Sequence, residues 1–276
     1  MSEGEVAVEY AVDHAGKTLF HLAPQGESWI TQSLLRATRA IHRSEASRQG
    51  ALFLHSGLVE LNGVGVALVG GSRAGKTSLI MASVLNGSGV MVCNDDVSLV
   101  THPDERGVTG IGWPRSISVR LDTLDVLFGR QRAQTIRSSL SHPGNETILS
   151  LRDSGVEQHG TALIYPWEYA DLLGTGIGRS LKVEAIVHLG LTDDPAEAGP
   201  GPVPPHARGE LLAKGELKLP NKRLNIFGHE PETGNPEHTR AALTELPTYR
   251  FRYEFRDVRR QADRLTEYLS TAHVNA

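Results

Sequence analysis

The chain has 276 residues, a formal charge of −4, 39% hydrophobic and 22% charged residues, which suits one large or two small globular domains. With no basic stripe, nucleic acid is excluded as the main partner. One cysteine, Cys93, rules out an internal disulfide and fits a reducing compartment. The start MSEGEVAVEY lacks a charged-then-apolar signal pattern, and no run approaches the ~20 apolar residues of a membrane span. A cytoplasmic chain with no membrane partner is therefore expected. The twelve histidines are scattered without metal-ligand spacing, so no structural zinc is expected.

Residues 1–50 read as an accessory layer packed on the rest. Val6–Tyr10 and Thr18–Leu22 can pair across Asp13–Gly16, and Trp29–Ile41 has helical spacing through Leu34, Leu35, Thr38 and Ile41. Ala51–Leu61 and Val64–Val69 are two β-rich runs separated by Asn62-Gly63, a two-residue hairpin signal because both residues tolerate positive φ. The second run leads into Gly70-Gly71-Ser72-Arg73-Ala74-Gly75-Lys76-Thr77, followed by Ser78 and a helical stretch to Leu85. This is the G-x-x-x-x-G-K-[ST] phosphate-binding loop. Its glycines let successive N–H groups turn toward phosphate oxygens, and the helix N-terminus adds partial positive charge. Lys76 is expected on the β- and γ-phosphates of ATP and Thr77 on Mg²⁺. Arg73 reads as a solvent-facing position within the loop.

A strand at Val90–Cys93 runs into Asn94-Asp95-Asp96 and resumes as Val97–Val100. Leu121–Phe128 reads as a helix, followed by an Arg-rich stretch to Ser141 and a loop at His142–Asn145. Ala162–Tyr165 is a predicted strand, Trp167–Leu173 a helix opened by Pro166, and Val183–Leu191 a buried strand. Asp193–Arg208 is rich in Pro, Gly and Ala without an apolar period and reads as a mobile irregular loop. Leu246–Phe255 alternates as a late strand, and Asp257–Ala272 closes as an amphipathic helix.

The run from Leu54 to Val100 resembles the catalytic core of the HPr kinase/phosphorylase family and its wider group of related kinases, some of which modify peptides. The match places the family's histidine on His55, its lysine on Lys76, its Ser/Thr on Thr77 and its acidic pair on Asp95 and Asp96. Gly112–Leu124 (GWPRSISVRLDTL) resembles a Pro-containing segment of the related kinases. The resemblance implies an α/β P-loop kinase of the HPr kinase/phosphoenolpyruvate carboxykinase type, with a mixed sheet flanked by helices in residues 51–276. The family's basic Gly-Arg-Asn loop has no counterpart here, and Gly178-Arg179-Ser180 is only a distant echo. HPr itself is therefore not the expected substrate.

Phosphoryl transfer needs a metal between the β- and γ-phosphates, a group that takes the nucleophile's proton, and cations on the migrating phosphoryl. Side chains alternate along a strand, so adjacent aspartates at its end point opposite ways. Asp95 is assigned as general base and Asp96 as the Mg²⁺-linked carboxylate, the reverse division remaining open. His55 is placed beside them to steady the aspartate or the phosphoryl group. Of the arginines, Arg115 is the first candidate for phosphoryl or substrate contact, with Arg120 and Arg179 behind it. The function expected is ATP- and Mg²⁺-dependent phosphorylation of a Ser or Thr hydroxyl on a peptide or small protein. A metabolite kinase, or a nucleotide-binding regulator with weak transfer activity, are the alternatives. A homo-oligomer is left open.

Overall fold

The computed structural model describes residues 8–94, 96–101, 107–113, 115–146, 160–217 and 234–274. The described strands, in chain order, are β1 Glu9–Asp13, β2 Thr18–Leu22, β3 Leu52–Leu54, β4 Ser56–Leu61, β5 Val64–Val69, β6 Gly89–Cys93 and β7 Val97–Val100. Then follow β8 Val108–Gly112, β9 Ile117–Arg120, β10 Thr161–Ile164, β11 Ser180–Val183, β12 Ala185–Leu191, β13 Gly199–Pro202 and β14 Thr248–Tyr253. The helices are α1 Ile30–Arg48, α2 Lys76–Leu85, α3 Leu121–Phe128, α4 Arg130–Ser139, α5 Pro166–Leu173, α6 Pro205–Gly215, α7 Glu237–Glu245 and α8 Val258–Val274.

The architecture is mixed α/β. A six-stranded sheet runs in the order β13-β14-β12-β5-β4-β6 and a four-stranded sheet in the order β11-β8-β7-β3. Within the larger sheet β12 is parallel to both β5 and β14, whereas β4 is antiparallel to β5 and β6. So β5, β6, β12 and β14 all end at one edge. Asn62 (φ 47°) and Gly63 (φ 83°) make the tight turn between β4 and β5, with Leu61 facing Val64 across it.

Alternation along β5 explains its uniform burial. Val64, Val66 and Leu68 enter the main core with the α2 residues Leu79, Ile80 and Met81. Ala67 and Val69 point the other way, into a second core shared with Leu52, Leu54, Val97 and Leu99 of the smaller sheet and with Leu212 of α6 and Leu243 of α7. Helix α8 closes the main core through Val258, Ala262, Leu265 and Leu269. A third, small core of Ala51, Phe53, Val100 and Trp113 has Ala46 of α1 packed against it.

The expected single run from Ala51 to Leu61 is two strands. It breaks at His55, with β3 pairing β7 in the small sheet and β4 pairing β5 and β6 in the large one. The return strand breaks at the same level, because β6 lies in the large sheet and β7 in the small one, with Asn94–Asp96 between them. A two-stranded ribbon therefore creases from one sheet into the other. The run expected from Val183 to Leu191 is likewise cut at Glu184, between β11 and β12. At this second crossing the chain passes so close to β5 that a Cβ on Gly65 would overlap the Lys182 carbonyl.

Helix α1 extends to Arg48, well beyond the expected Ile41, and the Arg-rich stretch after Gly129 is the helix α4. The hairpin partner of β2 is Glu9–Asp13 rather than Val6–Tyr10, whose first two residues lie outside the described residues. Residues 193–208, read as irregular, contain β13 and the first turn of α6. The prolines that suggested a loop fit these roles. Pro200 and Pro202 sit on a sheet edge, where missing N–H groups cost little, and Pro205 opens a helix at its first position.

Candidate active site

Three segments meet at one end of the six-stranded sheet. Ser56, which opens β4, pairs with Val69, the last residue of β5, and Leu58 pairs with Cys93, the last residue of β6. His55, the loop 70–77 and the segment starting at Asn94 therefore emerge side by side. Crevices at the carboxyl ends of parallel strands are where α/β sheets bind ligands.

The loop is built for close approach of its backbone. Gly75 precedes α2 with φ 86°, and a Cβ there would overlap the Tyr253 hydroxyl, which donates to the Gly75 carbonyl at 2.9 Å. Tyr253 closes β14, which lies beyond β12 from β5, so the end of that strand holds the last turn of the loop in place. Arg73 also has positive φ (66°) and is exposed. No side chain caps the N-terminus of α2, which leaves its first N–H groups to the loop. Lys76 is 8% exposed, and its Nζ donates to the Gly70 carbonyl at 2.6 Å and to the Gly71 carbonyl at 3.3 Å. The ammonium thus lies inside the loop it belongs to. Ser78 is buried and hydrogen-bonds Thr123 of α3 at 2.8 Å, which fixes the start of α2 against the next helix.

Asp96 is the electrostatic centre of the described site. Its backbone is in the left-handed region (φ 61°), an uncommon state for a non-glycine residue that tends to gather at functional positions. Only 8% exposed, its carboxylate is met by three groups. His55 Nδ1 lies 3.2 Å from Oδ1, while Arg115 Nη1 at 2.9 Å and Arg43 Nη2 at 3.4 Å donate to Oδ2. The structure therefore brings together His55, Asp96 and Arg115 from the sequence-predicted set. Asp95 and Pro114 lie outside the described residues. Arg120 turns away to pair with Asp122 at 2.7 Å, and Arg179 is exposed.

Arg43 was not among the sequence candidates. It comes from α1, in the segment read as accessory, and its guanidinium lies over the Trp113 ring at 3.8 Å. Trp113 in turn donates its indole N–H to Ser98 and packs edge-on against Phe53. Burial and the neighbouring Arg39 lower the Arg43 pKa to about 10. Arg39 is lowered too, by burial first and then by Arg115. The 36/39/43 spacing places three arginines on one face of α1, a signal available in the sequence once that helix is known to face the site. Gln32 fixes the orientation further by accepting from Ser116 Oγ at 2.6 Å.

Beneath the acidic segment, Asn94 is 4% exposed and accepts from the buried Tyr169 hydroxyl of α5 at 3.3 Å. Its Nδ2 has no hydrogen-bond partner among the described residues. The fit of the residues to Mg·ATP rests on the loop, which offers backbone N–H groups, Lys76 and the Thr77 hydroxyl. Asp96 adds a nearby carboxylate. Among the described residues no cluster of three or more His, Cys, Asp or Glu side chains could hold a metal by itself. Among the described residues no helix is long and apolar enough to cross a membrane.

No family model matches the chain, and no curated protein matches it. Among solved structures it is similar to the Hpr(Ser) kinase/phosphatase from Coxiella burnetii, at 10% identity and a TM-score of 0.37, over 81% of this chain and 91% of that one. A likeness of this degree bears on neither activity nor substrate.

Proposed function

We propose that the protein is a phosphotransferase that moves the γ-phosphoryl group of ATP to a hydroxyl, with a Ser or Thr of a peptide or small protein as acceptor. The observation that carries the reading is the meeting of the phosphate-binding loop, His55 and Asp96 at one sheet end, with Arg43 and Arg115 on the same carboxylate. In the reaction the bond from Pγ to the β,γ-bridging oxygen breaks and the acceptor oxygen bonds to phosphorus. The acceptor's proton passes to a carboxylate of the Asp95-Asp96 pair. Loop N–H groups and Lys76 hold the phosphates, and Thr77 with one aspartate would hold Mg²⁺. When bound, that ion neutralises charge between the β- and γ-phosphates. His55, 3.2 Å from Asp96, orients the carboxylate, and Arg115 and Arg43 supply positive charge beside the migrating group.

The test is incubation with γ-labelled ATP, Mg²⁺ and a pool of Ser- and Thr-containing peptides, read by label transfer and by a mass gain of one phosphate. Transfer that is abolished by Lys76→Ala is the expected result. Label appearing only as inorganic phosphate across the pool would leave a nucleotide hydrolase or regulator in place of the kinase.

A further inference from the structure

The arginine face of α1 has more positive charge than the described carboxylates balance. Arg43 and Arg115 both use one oxygen of Asp96. Arg39, half-buried, is close enough to feel Arg115, Asp96 and Arg36, yet among the described residues it has no hydrogen bond or ion pair. Arg36, one turn earlier on the same face, is exposed and likewise has no carboxylate partner among them. The carboxylate nearest in sequence on α1, Glu45, is taken by Arg48 at 2.8 Å. Half-buried like charges repel more strongly than solvated ones, and an anion placed among them relieves that cost. Guanidinium forks match the oxygens of carboxylate and phosphate in particular.

We infer that Arg36 and Arg39 bind an anionic group of the acceptor, so that the protein selects hydroxyls lying next to a carboxylate or phosphate. This deepens the phosphotransferase reading and rests on it. The 36/39 pair stands on the far side of Arg43 along the helix from Arg48, and Arg43 is the residue that reaches Asp96. An acceptor anchored at Arg39 is therefore held on the same helix face as Arg43, the residue that reaches Asp96. The γ-phosphoryl group has its own holders in the loop and in Lys76, so these two arginines are not needed to bind nucleotide.

The test uses three short peptides identical except beside one serine, where they carry glutamate, glutamine or phosphoserine. Binding to the full-length protein saturated with Mg·ADP is read by fluorescence anisotropy, and transfer by γ-labelled ATP. The wild type is expected to bind the glutamate or phosphoserine peptide at least tenfold more tightly than the glutamine peptide. The Arg36→Gln/Arg39→Gln protein should lose that preference while keeping its nucleotide affinity and circular dichroism. Whichever anionic peptide binds better tells carboxylate from phosphate recognition. Equal binding of all three peptides, or a preference untouched by the double substitution, overturns the inference. A kcat loss of the same size with every peptide overturns it too, because it assigns the arginines to the γ-phosphoryl group. Arginine-dependent binding without transfer to any peptide would sink the phosphotransferase reading and leave the anion site standing.

Discussion

At the scale of single residues, Lys76 and the aspartates separate nucleotide holding from chemistry. Lys76 donates to the Gly70 and Gly71 carbonyls of the loop it belongs to, so Lys76→Ala removes a positive charge from that loop. Turnover of ATP should vanish and thermal unfolding should stay nearly unchanged; near-normal ATP affinity and turnover would discard the phosphate-loop reading. Asp95→Asn should keep Mg·ATP binding and lose transfer by ~10²–10⁴, the usual cost of removing a general base. Asp96→Asn should shift the Mg²⁺ dependence and also lower stability, because Arg43 and Arg115 lose the charge that compensates them. Breaking a buried pair from one side costs roughly 3–5 kcal/mol, and partial solvent access makes this case smaller. Mg²⁺ titrations and melting curves on both variants check the division, and an equal loss of metal dependence would refute it.

At the scale of elements, the phosphate loop depends on the end of β14. Gly75→Ala would put a methyl group into the Tyr253 hydroxyl and hold an alanine at φ 86°. A loss of ATP affinity of at least tenfold is expected, measured by calorimetry. Tyr253→Phe, which removes only the hydroxyl bonded to the Gly75 carbonyl, should cost about 1 kcal/mol of stability. The loop, its hairpin and α2 were legible in the sequence because each rests on local signals: Asn-Gly at the turn, the glycine spacing and the apolar run. The crease at His55 was not. Leu52–Leu54 and Ser56–Leu61 have the same strand composition on both sides of the break, and only long-range pairing assigns them to different sheets. Similarly, β13 and α6 were hidden by prolines that read locally as loop formers.

For the whole molecule, the N-terminal helix is part of the site because tertiary packing turns its arginine face toward Asp96, a fact no window of sequence contains. Packing also creates a pH dependence. His188 on β12 is half-buried beside Arg250, its Nε2 has no hydrogen-bond partner among the described residues, and its pKa is lowered from 6.5 to about 4, chiefly by burial. Between pH 6.5 and 4 the unfolded chain takes up a proton that the folded chain refuses. Stability therefore falls as pH falls through this window and levels off below it, by about 3 kcal/mol in all. Denaturant midpoints measured from pH 7 to 4 should show the decline, and His188→Leu should flatten it. An unchanged slope in the variant would assign the acid sensitivity to other groups.

The crease in the β3–β4 ribbon leaves the His55 peptide N–H outside both ladders. It donates instead to the Gly215 carbonyl at the end of α6, at 2.9 Å, and Leu217 returns a bond to Phe53. The exchange clock of this one amide is thus set by a helix that lies outside the phosphate loop. Loosening α6 with Leu212→Ala, a buried residue of the second core, should speed deuterium uptake at His55 while Val66 and Val187 in the central strands keep their protection. Opening of the histidine's backbone then becomes a local event, observable in the native protein and separable from global unfolding.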